Sequence, residues 1–172
     1  MLHVWSSYAM LALTIAAAGI MLAAALQDLI ARAIPNWMAL VLATIGLILR
    51  IAGNTLPLGL LAGGTIFAIA MFFWYRNWLG GGDVKLMAAT AILLPPSGVL
   101  PFIVWMSVSG SVLALIYLVA RRVLPAPGRL PSHARQAPLI ARALRAENWR
   151  IHRGGPLPYV CAITAGFLFV AF

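Results

Sequence analysis

The chain has 172 residues, of which 63% are hydrophobic and only 9% are charged, and its mean hydropathy is +0.99. A soluble domain of this length needs a charged exterior, so the composition excludes one and indicates an integral membrane protein with a single membrane domain, residues 1–172. The net charge of +9 requires no nucleic-acid partner, because Lys and Arg collect in the cytoplasmic loops of membrane proteins.

Six apolar segments follow one another along the chain and predict an all-α, polytopic fold with about six transmembrane helices. A helix of about 20 residues crosses the hydrocarbon core of a bilayer. The segments are Tyr8–Leu26, Trp37–Ala52, Leu56–Tyr75, Val84–Leu94, Val99–Ala120 and Leu157–Phe172. The fourth is short and ends at Pro95, so its length fits either a span or a re-entrant segment.

The arginines and lysines orient these segments, because short cytoplasmic loops of membrane proteins are rich in both. Six crossings that begin outside place all but one of these residues in inside loops: Arg32, then Arg76 and Lys85, then the arginines from Arg121 to Arg153. Only Arg50 is then outside. A re-entrant fourth segment would move the arginine-rich loop to the outside. The sequence therefore predicts six crossings with both termini outside.

The basic cytoplasmic loop of residues 121–155 is the one clearly polar stretch. Its second half, "APLIARALRAENWRI" at residues 137–151, carries apolar residues that share one helical face opposite arginines. This pattern is typical of an amphipathic helix that lies on an anionic leaflet, with membrane lipids as its partner. A solvated basic loop that only follows the positive-inside rule explains the same residues equally well.

Acidic side chains are scarce, since Asp28, Asp83 and Glu147 are the only ones. Glu147 lies among the arginines of the basic loop, and their charges explain it. The predicted topology places Asp28 where the first span arrives inside and Asp83 where the fourth span leaves. Taken singly, Asp83 fits a helix N-cap and Asp28 a solvated interfacial residue. Taken together, two acids at the same membrane depth indicate a functional site.

Two converging carboxylates are suited to acid–base catalysis, because they share one proton and their pKa values separate. The ionised carboxylate then activates a water molecule, and the protonated one hydrogen-bonds a scissile carbonyl, as in an aspartic protease. Gly80, Gly81 and Gly82 let backbone or substrate pass close to Asp83 and permit unusual backbone angles. The same glycines also fit a simple turn.

Three short elements carry a resemblance to a known family. They are Asp28 followed by Pro35 and Asn36 in "DLIARAIPNW", Gly80-x-Gly82-Asp83 in "GGGDVKLMAA", and Pro158-Tyr159 in "GGPLPYVCAITAG". In this order, and on six apolar segments, they resemble the type IV prepilin peptidases, which are membrane aspartic peptidases with a GxGD motif. The likeness covers most of the membrane chain.

The resemblance implies a multi-pass endopeptidase of the bacterial inner membrane, with Asp28 and Asp83 as its catalytic pair. Its substrate would be a prepilin or pseudopilin, from which it removes a short basic leader at the cytoplasmic face. Larger members of the family carry a cytoplasmic domain with two CxxC pairs, whereas Cys161 is the only cysteine here. The chain instead resembles the compact peptidases of Flp/Tad pilus systems, so N-methyltransferase activity is not expected.

No metal or other cofactor is expected. A single cysteine cannot form a cysteine-rich zinc site, and the three histidines do not form an HExxH pattern. The resemblance assigns supporting roles to Gly80, Gly82, Pro35, Pro158 and Tyr159.

Two polar residues beside the motifs have alternative roles. Lys85 either tunes the aspartate pair or contacts lipid phosphate, and of these lipid contact is favoured. Asn36 is expected to cap the second helix after the break at Pro35.

Two functions from other classes fit the same features. In a small proton- or cation-coupled transporter component, Asp28 and Asp83 would relay protons or bind a cation, although no inverted repeat supports this. A non-catalytic assembly subunit of a pilus or secretion system would keep the peptidase scaffold without its activity, although the intact aspartates argue against this function.

Overall fold

The structure, a computed structural model, describes residues 2–125 and 139–172. Within these ranges the chain is helical and contains no strand, which confirms the all-α prediction. The helices are α1 (Leu2–Ala31), α2 (Asn36–Ala52), α3 (Leu56–Tyr75), α4 (Gly81–Leu93), α5 (Val99–Val123), α6 (Leu139–Arg153) and α7 (Tyr159–Ala171), with a single 3-10 turn at Pro96–Gly98 before α5.

The six predicted apolar segments correspond, in chain order, to helices α1, α2, α3, α4, α5 and α7. Among the described residues, three stretches are long and apolar enough to cross a bilayer: Ser7–Ala31, Leu56–Tyr75 and Pro96–Val123. Helices α2, α4 and α7 are shorter, with 17, 13 and 13 residues. The chain is therefore a membrane-embedded helical protein, and six full crossings stay a prediction.

Left-handed residues and prolines mark the breaks between helices, as the end of α1 and the start of α2 illustrate. Arg32 follows α1 with a φ of 52°, a conformation that ends a helix. Pro35 is the N-cap of α2 and Asn36 is its first helical residue, with no capping bond from a side chain. The prediction that Asn36 caps this helix is therefore wrong.

Helices α4 and α7 are the shortest and lie in the middle of the fold. Helix α4 packs against α2, α3 and α7, while α7 packs against α1, α4 and α5. Their buried side chains include Leu86, Ile163 and Phe167. The longer helices surround them and leave large apolar side chains such as Leu61 and Leu100 exposed, as expected for surfaces that face lipid.

The second half of the basic loop is helical, as its sequence pattern predicts. Helix α6 runs from Leu139 to Arg153, and Leu144 and Trp149 on it are exposed. Residues 126–138 of the same loop lie outside the described residues. Contact of α6 with lipid stays a prediction.

A glycine sets the distance between α2 and α4. A Cβ atom added to Gly46 would lie 2.8 Å from the backbone nitrogen and 2.9 Å from the Cα of Leu93. These are backbone atoms of α4, so they cannot rotate away as a side chain can. A residue larger than glycine at this position must push the two helices apart.

Gly46→Ala should therefore destabilise the protein by about 1–3 kcal/mol, the usual cost of overpacking. Gly64→Ala is the matched control, because a Cβ at Gly64 meets nothing within 4 Å. Alanine is also the better helix former by about 1 kcal/mol, so the control should be neutral or slightly stabilising. Thermal unfolding in detergent measures both variants, and equal melting temperatures would contradict the close approach of α2 and α4.

Candidate active site

Asp28 lies in the last turn of α1 and is almost fully buried, with 7% of its surface exposed. Its carboxylate accepts a hydrogen bond from the backbone N–H of Val160, the second residue of α7. The first N–H groups of a helix have no partner within the helix and favour a negative charge. The start of α7 thus stabilises the Asp28 carboxylate, a contact that sequence reasoning missed.

One oxygen of this carboxylate remains available. Asp28 Oδ2 is buried and has no hydrogen-bond partner among the described residues. Buried polar atoms in native proteins nearly always have a partner, and an exception needs an explanation. An acceptor that a water molecule or a substrate completes is such an explanation.

Asp83 is the third residue of α4 and is half-buried. Its Oδ2 accepts a hydrogen bond from the backbone N–H of Gly80, the N-cap of this helix, at 3.2 Å. Asp83 is therefore not the N-cap itself, although it contributes to capping from the first turn.

The two carboxylates repel each other. Burial raises the pKa of Asp83 to about 6, and the charge of Asp28 adds to the increase, while the Gly80 N–H and Arg32 oppose it. The structure thus brings the two sequence-predicted aspartates within electrostatic range, from helices α1 and α4. Arg32 is the one cation whose charge acts on both of them among the described residues.

The glycines before Asp83 leave space for the Asp83 carboxylate and for Ile34. A Cβ on Gly80 would lie 2.9 Å from Asp83 Oδ2, and a Cβ on Gly82 would lie 2.9 Å from the Cδ1 of Ile34. The first would crowd the carboxylate, and the second would crowd the connection between α1 and α2. Gly80 has an ordinary extended conformation, with φ −74° and ψ 145°, so its missing side chain matters at this position and not an unusual backbone angle.

Lys85 and Asn36 contact each other. The exposed Lys85 Nζ donates a hydrogen bond to Asn36 Oδ1 at 2.8 Å, which joins α4 to the start of α2. Among the described residues, Lys85 is not one of the charges that act on Asp28 or Asp83. Both residues therefore lie beside the aspartate pair without entering it.

Pro158 and Tyr159 set the start of α7. Pro158 is the N-cap of this helix and is fully buried. Tyr159 is half-buried, its ring packs against Gly110 of α5, and the charge of Asp83 acts on its phenol. The Pro-Tyr pair thus fixes the helix end that binds Asp28 and brings an aromatic ring near Asp83.

Glu147 has more contacts than the sequence predicted. It is half-buried in α6 and accepts hydrogen bonds from Arg32 Nη2 at 2.5 Å, Arg150 Nη1 at 2.9 Å and the Tyr117 hydroxyl. Burial opposes its ionisation, but these hydrogen bonds and the two cations prevail and lower its pKa. Glu147 is therefore part of a network that joins α1, α5 and α6, and not one acid in a solvated loop.

Comparison with known proteins places the chain in a family. The family model described as "Type IV leader peptidase family" matches residues 15–115. The matched range includes Asp28, Asp83 and the three glycines at positions 80 to 82. No curated protein and no solved structure matches the chain.

The carboxyl group of Asp83 should titrate near pH 6, well above its ordinary value of 3.8. Asp28→Asn removes the repulsion and should lower this midpoint, while burial should hold it above the ordinary value. Infrared titration of the protonated carboxyl band measures the midpoint, and loss of the band in Asp83→Asn assigns it. Glu147 does not interfere, because its own pKa is lowered. An Asp83 midpoint that does not respond to Asp28→Asn would mean that the two groups do not interact.

Proposed function

The chain belongs to the type IV leader peptidase family, and from this premise we propose that it is a membrane aspartic endopeptidase that uses Asp28 and Asp83 to remove the leader of prepilin-like proteins. The observation that carries the proposal is the mutual repulsion of these two carboxylates, each held by a backbone N–H at a helix start. Repulsion of this kind separates the two ionisation steps, so one carboxyl group keeps its proton while the other is ionised.

The reaction uses the shared proton. The ionised carboxylate removes a proton from a water molecule, whose oxygen attacks the carbonyl carbon of the scissile peptide bond. The protonated carboxyl group hydrogen-bonds the carbonyl oxygen and stabilises the charge that develops there. When the tetrahedral intermediate collapses, the C–N bond breaks and the amine leaves with the proton that came from water.

The buried oxygen of Asp28 that has no partner among the described residues supports this reaction, because its acceptor capacity is not used by the protein itself. The raised pKa of Asp83, about 6, supports it as well, because such a group is partly protonated near neutral pH. The two protonation states belong to the pair as a whole.

The proposed setting is the bacterial inner membrane, with six crossings and the aspartate pair at the cytoplasmic face. The arginines of α6 and of the end of α5 support this orientation through the positive-inside rule. The substrate would be a prepilin or pseudopilin whose basic leader lies in the cytoplasm. A compact Flp/Tad-type peptidase fits best, since Cys161 is the only cysteine.

Asp28→Asn and Asp83→Asn should each lower kcat for cleavage of a prepilin peptide by at least roughly 100-fold, because each removes one half of the shared-proton pair. The double variant should be no slower than either single variant, since residues that act as one unit are not additive. Purified protein in detergent, incubated with the peptide and assayed by mass spectrometry, measures the rates.

Gln27→Ala is the matched control, at the half-buried position next to Asp28, and should cleave at the wild-type rate. All variants must be inserted at wild-type levels. Near wild-type cleavage by either aspartate variant would rule out the paired mechanism.

The topology is tested separately by single-cysteine labelling in a Cys161→Ser background. A cysteine at Arg145, which is exposed on α6, should react only with reagents that reach the cytoplasm. A cysteine at Asn54, exposed between α2 and α3, should react from the outside. The reverse pattern would put the aspartate pair on the wrong face for a cytoplasmic leader.

A further inference from the structure

Four polar side chains form one cluster at the end of α1, and we call it the Glu147 cluster. Its members are Arg32, Tyr117, Glu147 and Arg150. Both arginines and the Tyr117 hydroxyl donate to the single Glu147 carboxylate. The three charged side chains are largely buried, with 14% of Arg32, 16% of Glu147 and 24% of Arg150 exposed. Water therefore screens these charges less than it would on the surface.

The same arginines also hold backbone on both sides of the candidate site. Arg32 Nη1 donates to the carbonyl of Pro156 at 2.8 Å, and Arg150 Nη1 donates to the carbonyl of Leu29 at 3.1 Å. Pro156 lies just before α7, whose Val160 N–H binds the Asp28 carboxylate. Leu29 is the residue after Asp28. The cluster thus fixes both backbone segments that set the position of this carboxylate.

The cluster is also an electrostatic neighbour of the aspartate pair. The charges of Arg32, Glu147 and Arg150 all act on the Asp28 carboxylate, and Arg32 acts on Asp83 as well. Glu147 supplies one negative charge against two positive ones. Without it, Arg32 and Arg150 would both favour ionisation of Asp28, and Arg32 would favour that of Asp83 as well, so the pair would hold its proton less firmly.

We propose that Glu147 is a positioning residue for the aspartate pair, which holds Arg32 and Arg150 against the end of α1 and the start of α7 and offsets their charge. This inference rests on the proposed function. Groups from each neighbouring element take part, Arg32 after α1, Tyr117 from α5 and Arg150 from α6 itself. Glu147 acts through these groups and does not touch the substrate.

The test is Glu147→Gln, which keeps the shape of the side chain and removes its charge. We expect kcat for prepilin-peptide cleavage to fall at least roughly tenfold while KM changes less than about twofold, because the pair is misplaced but the substrate surface is intact. The pH–rate profile should shift to lower pH, because unpaired arginines stabilise ionised carboxylates. A side chain that only supports folding would not move this profile.

Two variants separate the charge of Glu147 from its hydrogen bonds. Tyr117→Phe removes one donor without changing the charge, so kcat should fall less and the pH profile should stay in place. Arg145→Gln is the matched charge control, because Arg145 is exposed on the same helix and is not among the charges that act on Asp28. Its kcat and pH profile should equal those of the wild type.

Glu147→Asp extends the test if Glu147→Gln does not fold. It keeps the charge and shortens the reach by one methylene, so kcat should fall while the pH profile stays in place. A wild-type kcat in either Glu147 variant would overturn the proposal. So would a pH profile of Glu147→Gln that coincides with that of the wild type.

Infrared titration of the aspartate pair distinguishes this inference from the proposed function, because it does not depend on cleavage. In Glu147→Gln the midpoint of the Asp28 carboxyl group should move to lower pH, because the charge of Glu147 acts on that group. A wild-type protein that does not cleave the peptide would overturn the proposed function alone. Midpoints that Glu147→Gln leaves unchanged would overturn the positioning role alone.

Discussion

The candidate site depends on one contact between the end of α1 and the start of α7. This contact is the hydrogen bond that the Val160 N–H donates to the Asp28 carboxylate. A carboxylate this deeply buried is stable only with partners, and the unpaired N–H groups at the start of a helix are suitable ones. Pro158 fixes where that helix begins, so the position of one proline determines which N–H reaches Asp28. The last apolar segment therefore contributes a backbone group to the candidate site.

The two shortest of the described helices, α4 and α7, carry groups of the candidate site. Helix α4 carries Asp83 and α7 carries the N–H that binds Asp28, and both are packed among longer helices that face outward. A short central helix places its N-terminal turn at a fixed depth, since packing on several sides prevents it from sliding. Gly46 contributes to this constraint, because it brings the backbones of α2 and α4 into contact.

Much of the fold could be predicted because hydropathy is a local property, and each of the six apolar segments is a helix. The aspartates stood out because the chain has only three acidic side chains. The sequence could not predict the contacts of Glu147, whose partner Arg32 is 115 residues away and reaches it only in the folded chain. Asn36 was misassigned for the same reason, since Lys85 of α4 takes its side-chain oxygen.

The central claim is that Asp28 and Asp83 act on one peptide bond. An experimental structure of the protein bound to a prepilin peptide with a non-hydrolysable scissile bond tests it most directly. The scissile carbonyl should lie between the two carboxylates, within hydrogen-bond distance of both and next to Asp28 Oδ2. A leader peptide bound with its scissile bond away from either aspartate would contradict the account.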